Sequence, residues 1–167
     1  MAINVLSIGI KPTMAKLELM GERVVENITV MERIAADMMR ATESLIHSQG
    51  RRGGGSWARL KPDTVRKKGD TRILYTSGAR PGYTQFGDNT LVRSVTEPNA
   101  PYQILNVRNS FIEFGTDRPW AEVVARGSSK KNIPARPFLR FTPTDIVRWN
   151  GWLLQHFMEP WLGGSEE

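Results

Sequence analysis

The sequence predicts an α+β domain in which an antiparallel β-sheet of about four strands packs against a long N-terminal amphipathic helix and is closed by a C-terminal helix. Three observations carry that expectation. Apolar residues recur at helical spacing early in the chain, short β-branched and aromatic runs separated by turn residues fill its middle, and a capped, tryptophan-bearing stretch lies near its end. A chain of 167 residues holds one sizeable core, so a single domain over 1–167 is expected.

The first element, "VLSIGI", reads as a short edge strand or an extended arm. After Pro12, the residues Leu17, Met20, Val24, Ile28, Met31, Ala35, Met38 and Leu45 recur at helical steps, and Val25, Ile34, Met39 and Ile46 widen the stripe. This predicts a helix from about residue 14 to 47, with Gly21 as a candidate break. "SQGRRGGGS" supplies left-handed and flexible backbone and ends it.

In the middle, "PDTVRKK" predicts a short helical turn starting near Pro62, and Ile73 to Tyr75 an apolar run followed by turn residues. "TLVRSVT", "YQILNV" and "FIEFG" then read as three strands of a meander, which needs one covered face to be stable. "WAEVVARG" fits a strand or a short helix equally well. For the closing helix, expected at about 143–159, Thr142 caps, Pro143 takes the first position and Asp145 stands three residues beyond the cap. Ile146, Trp149, Leu153 and either His156 or Phe157 form its apolar face, and Pro160 is expected to stop it. Trp152 and Trp161 exceed one narrow stripe, and serve either a partner surface or the domain's own core.

Net charge is +6 and unevenly spread. From Arg51 to Arg80 nine basic residues face two acidic ones, while the rest of the chain is almost balanced. A basic, glycine-marked loop at about 48–72 therefore attracts phosphates or an acidic protein surface. Basic residues interleaved with Trp57, Tyr75, Tyr83 and Phe86 have the ingredients of non-specific nucleic-acid binding, the alternative functional reading.

Catalytic patterns are missing. The chain has no cysteine, its histidines are His47 and His156, and no zinc-protease, phosphate-loop or dinucleotide motif occurs. Asp63, Asp70, Glu113 and Asp117 could approach a divalent metal, but surface carboxylates are common in any chain and do not by themselves make a site. No enzyme activity, cofactor or metal is expected. No run approaches about 18 apolar residues and no signal peptide is recognisable, so synthesis inside the cell without a membrane partner is expected.

The stretch "IPARPFLRF" spends two prolines and two arginines on a connector between a basic loop and the closing helix. Pro134 and Pro137 restrict φ and push Ile133 and Arg136 toward extended backbone. Ile133, Phe138 and Leu139 can fill apolar hollows, while Arg136 and Arg140 can pair bidentately with carboxylates of the domain or of a neighbour. This chemistry positions surfaces rather than reacting. The candidate interface comprises Ile133, Pro134, Arg136, Pro137, Phe138 and Arg140 of the connector, Arg66, Lys67 and Lys68 of the basic loop, and the aromatics Trp120, Trp149 and Trp152.

The segment "GTDRPWAEVVARGSSKKNIPARPFLRF" resembles the late part of the tailed-phage virion morphogenesis family, which includes tail completion proteins and is related to head-tail joining (neck) and tail terminator proteins. The matching positions are Gly115, Pro119, Trp120 and Ala121, then Ile133 through Leu139. "GSWARLKPDTVRKKG" resembles an earlier family segment at Ser56, Trp57, Pro62, Thr64 and Lys67, and "ILYTSG" the step into the first hairpin. The matches run in order over about residues 54 to 145. After "TSG" the chain departs from the family's leucine and serine-hydrophobic continuation with "ARPGYTQFGDN". The resemblance implies a structural virion protein, made in the host cytoplasm, that forms a homo-oligomeric ring, most simply a hexamer, at the head-proximal end of the tail. Its implied partners are the tail tube and the head connector or neck proteins, with genomic DNA passing through the channel without sequence-specific binding.

Overall fold

In a computed structural model that describes residues 10–68, Leu74 and residues 90–162, the N-terminal stripe forms two helices rather than one, α1 (Ile10–Val25) and α2 (Ile28–His47). The break lies at Glu26 and Asn27, not at Gly21. A glycine inside a helix costs only about 1 kcal/mol relative to alanine, and Gly21 sits in open space with α1 running through it. Asn27 leaves the helical conformation at ψ 16° and is buried, and its Oδ1 has no partner. The turn lets α1 lie against the last helix of the chain, α6 (Pro143–Leu162), where Arg23 pairs with Glu159. Of "VLSIGI", only Ile10 falls within the described residues, and it opens α1.

The expected four-strand sheet is corrected to a two-stranded antiparallel hairpin among the described residues, β1 (Gln103–Val107) with β2 (Ile112–Thr116), in the register Gln103↔Thr116 to Val107↔Ile112. "TLVRSVT" is not a strand. It forms the helix α4 (Thr90–Thr96), in which Leu91, Val92, Ser94 and Val95 are buried while Arg93 points out to Glu97 at 2.8 Å. That burial pattern has helical period, so packing overrides the β-branched composition. Ser94 and Thr96 return their hydroxyls to the carbonyls of Leu91 and Val92. The Ile73–Tyr75 run lies outside the described residues except for Leu74, which packs half-buried against the core. An isolated hairpin is marginal in water; here α2 and α4 cover it. Ser94 Oγ also bonds Thr116 Oγ1 at 2.8 Å.

"PDTVRKK" forms the short helix α3 (Pro62–Lys68), and "WAEVVARG" resolves as a helix, α5 (Ala121–Arg126), ended by Gly127. The closing helix passes Pro160 instead of stopping before it. A proline lacks the N–H that would bond the carbonyl four residues back, which is that of His156. Arg23 supplies a replacement donor, its Nη1 bonding the His156 carbonyl at 3.2 Å. The freed acceptor is satisfied by a different helix.

Two apolar clusters form the core. One gathers Leu45, Ile46, Trp57, Leu91, Val92, Val95, Ala121 and Phe138, and the other Val30, Met31, Ile34 and Trp149 with Val107, Ile112 and Phe141 around them. Trp57 reaches the first cluster because Gly50, at φ 87°, leaves its indole room; a Cβ there would lie 2.5 Å from the ring.

Candidate subunit interface at the connector

The connector joins the two clusters. Phe138 is buried to 2% exposure in one, and Phe141 packs edge-on against Trp149 of the other with ring centroids 5.0 Å apart. Its entry is tied down by backbone bonds, Ser128 with Ile133 in both directions and the Arg136 N–H to the Val124 carbonyl at 2.9 Å. These bonds close a loop that carries Lys130 and Lys131. Gly127, at φ 77°, is required for this approach, since a Cβ there would lie 2.7 Å from the Ala135 nitrogen. The two prolines are exposed and Ile133 is half-buried. Leu139 is partly exposed, and the Arg140 stem lies over Gly53 with its surface open.

Directly behind the connector an ionic network locks the basic loop to α6. Asp145 has no exposed surface; its carboxylate accepts from Arg52 at 2.6 and 2.9 Å, from Arg148 at 2.9 Å, and from the backbone and hydroxyl of Thr142 at 2.8 Å each. Burial by itself pushes this carboxyl up. The donors from Arg52, Thr142 and Arg148 outweigh it and hold the group well below the usual carboxylate range. Arg148 continues to Asp37, which also accepts from Trp149 Nε1 at 2.8 Å. Asp37 is likewise lowered, burial being overcome by the bonds from Trp149 and Arg148. Arg148 is raised in turn, mainly by its bond to Asp37.

The structure divides the predicted interface residues into three groups. Phe138 and Trp149 are interior to the subunit, and Arg136 is buried beside the Ala58 carbonyl. Ile133, Trp120 and Trp152 are half-buried, Trp120 against the Phe138 cluster and Trp152 beneath the Arg33 guanidinium at 4.0 Å. Pro134, Pro137, Arg140 and Arg66 are exposed, Arg66 pairing with Asp63 at 2.8 Å, and the side chains of Lys67 and Lys68 lie outside the described set. Arg52, counted in sequence with the outward basic loop, turns inward.

Beyond Trp161, which the sequence offers as a partner surface or core residue, the exposed apolar residues of α1 and α6 were not singled out from sequence. On α6, Val147, Leu154 and Met158 follow one another at helical spacing and face solvent, Val147 at 70% and Leu154 at 63% exposure, and Trp161 at their end lies part-open against Met20 and Lys16 of α1. On α1, Met14, Leu17 and Val25 are exposed as well. Their apolar period is legible in the sequence, but period alone does not say which of two apolar faces is turned inward. Among the described residues no group of three His, Asp or Glu side chains converges to hold a metal, and no helix is long and apolar enough to cross a membrane. What this arrangement can do is bind and position other surfaces, through a stiff connector, a basic rim and two uncovered apolar helix faces. No family model, curated protein or solved structure matches the chain.

Proposed function

We propose that the chain is a structural protein of a tailed-phage virion, assembling as a homo-oligomeric ring at the head-proximal end of the tail and acting in tail completion or termination and head-tail joining. The observation that carries the assembly is the exposed apolar row Val147, Leu154 and Met158 on α6, together with the exposed Met14, Leu17 and Val25 of α1. Contiguous apolar surface on a folded domain marks a contact surface. A closed ring of more than two copies needs a heterologous contact, in which two different patches of each subunit meet; the α1 and α6 faces and the basic connector rim supply different patches. The resemblance of residues 54–145 to virion morphogenesis proteins gives the assembly its place, with the tail tube and the head connector or neck proteins as neighbours and DNA passing through the channel.

The test is mass measurement of the purified protein and of particles made from a genome that carries the gene. Several copies per particle, present as a ring released on mild disassembly, are expected. A protein that stays monomeric at high concentration and is missing from purified particles overturns the reading.

A further inference from the structure

Arg136 is a buried cation without an acid. It is 8% exposed, its Nε–H meets no acceptor, and its hydrogen bond is a long one, 3.4 Å, from Nη2 to the Ala58 carbonyl. The other buried charge among the described residues, Asp145, is surrounded by donors from two arginines and its cap. A buried charge left unpaired is destabilising, and a guanidinium stays protonated at neutral pH. Burial pushes its pKa down, with no carboxylate near enough to push it back.

The side chain borders a cleft of about 530 Å³ whose walls include Arg59, Lys61, Ser128, Ser129 and Asn132 and, among the described residues, no acidic one. We infer that this cleft is a receptor for a protein carboxylate, an Asp or Glu side chain of a second copy that enters between the Lys61 and Ser129 walls and accepts from the Arg136 guanidinium. A carboxylate matches the fork of a guanidinium with two parallel bonds. It is also slender enough to reach a buried group, whereas a duplex presents its phosphates on the outside of a broad rod.

The inference rests on the ring reading for the source of the carboxylate. Glu18 and Glu22 on α1 and Glu26 just past its end stand one turn apart, exposed, while two cations of that helix are engaged elsewhere, Arg23 with Glu159 and Lys16 over the Trp161 ring. The row packs along the C-terminal half of α6, by Trp152, Gln155 and Glu159, whereas the cleft lies beyond its N-terminal end. α6 runs roughly 24 Å from Asp145, beside Arg52, to Trp161, beside Met20 of α1, and the cleft, lined by Ala58 and Arg59, follows the Arg52 loop in the chain. A head-to-tail contact brings these carboxylates, which pair with no cation among the described residues, to the basic cleft of the next copy.

Two measurements on the full-length protein test this. In the first, the Arg136 Nε–H resonance, assigned by Arg136→Lys, is followed by NMR at constant ionic strength while acetyl-Gly-Glu-Gly-amide, its Gln analogue or inorganic phosphate is added. Saturating shifts with the Glu peptide at Arg136, Ser129 and Asn132, about tenfold tighter than with phosphate, are expected, with the Gln peptide silent. Phosphate binding as tightly as the Glu peptide, or no shift with any probe, overturns the carboxylate receptor. In the second, ring yield is compared by native mass spectrometry for Lys61→Gln at the exposed rim, for Arg136→Lys, and for the combined Glu18→Gln, Glu22→Gln, Glu26→Gln variant, each with unchanged thermal unfolding. A fall of about tenfold in each is expected. Wild-type yield in all three overturns the contact and leaves the ring standing. A wild-type chain that forms no ring in solution or in particles overturns the ring reading, and the peptide titration then decides the cleft by itself.

Discussion

Asp145 shows how a single side chain ties distant segments together. It is the partner of Arg52, 93 positions earlier, and through Arg148 it is coupled to Asp37. Its carboxyl is lowered in the folded chain, so its contribution to stability is fully present above the unfolded value, near ~3.9, and is lost as pH falls through the folded value. Asp37, lowered for related reasons, acts in the same direction. The protein is therefore expected to lose stability progressively below about pH 4. Asp145→Asn removes part of that acid slope and, by leaving Arg52 and Arg148 facing a neutral group, costs about 2–4 kcal/mol at neutral pH. Urea unfolding of both proteins from neutral to acid pH checks this, and a variant with the full acid slope and unchanged midpoint would contradict it. Phe138 works through burial instead, where a phenyl ring contributes about 1.5–3 kcal/mol; its bulk serves the subunit's own core.

Among elements, the junction of α5 with the connector is the most constrained. Gly127 combines φ 77° with a backbone approach that admits no Cβ, so the loop over residues 128–133 folds back only with glycine there. Gly127→Ala is expected to destabilise by about 1–3 kcal/mol and to raise amide exchange at Ser128, Ile133 and Arg136, whose N–H groups make the bonds that hold the junction. Unchanged exchange at these three amides would show that the junction tolerates the Cβ. The passage of α6 through Pro160 is an element-level compensation of another kind. One helix loses a backbone bond and a neighbouring arginine replaces the donor.

At the scale of the whole molecule, charge and apolar surface are separated. The cleft, the exposed Arg59, Lys61 and Arg66, and the Lys130–Lys131 tip form one basic region, while the exposed apolar faces of α1 and α6 lie along the helical pair. The Arg66 and Asp63 pair is exposed and holds little energy. Neutralising Arg66, Lys67 and Lys68 together is expected to leave thermal unfolding within about 0.5 kcal/mol and to lower the yield of completed particles more than it changes DNA affinity. Tight duplex binding by the isolated protein that weakens steeply with salt and disappears in this variant would favour the nucleic-acid reading instead. Trp57, a candidate stacking ring in that reading, is in the core.

The sequence by itself determined what depends on neighbours along the chain. Thr142 and Asp145 bond reciprocally across the first turn of α6, Pro62 opens α3, the β1 and β2 runs pair in a hairpin, and Phe138 is an apolar anchor, each readable from residues within a few positions. Only the tertiary structure decided which face of each element turns inward and who its distant partner is. The Leu91 to Val95 run becomes a helix because its buried positions fall on one helical face against α2, the stripe breaks at Asn27 because α1 folds onto α6, and Arg52 leaves the basic loop because Asp145 waits inside. The reason is physical: period and capping are local properties of backbone and side chain, whereas burial and ion pairing depend on groups that meet only once the chain has closed on itself.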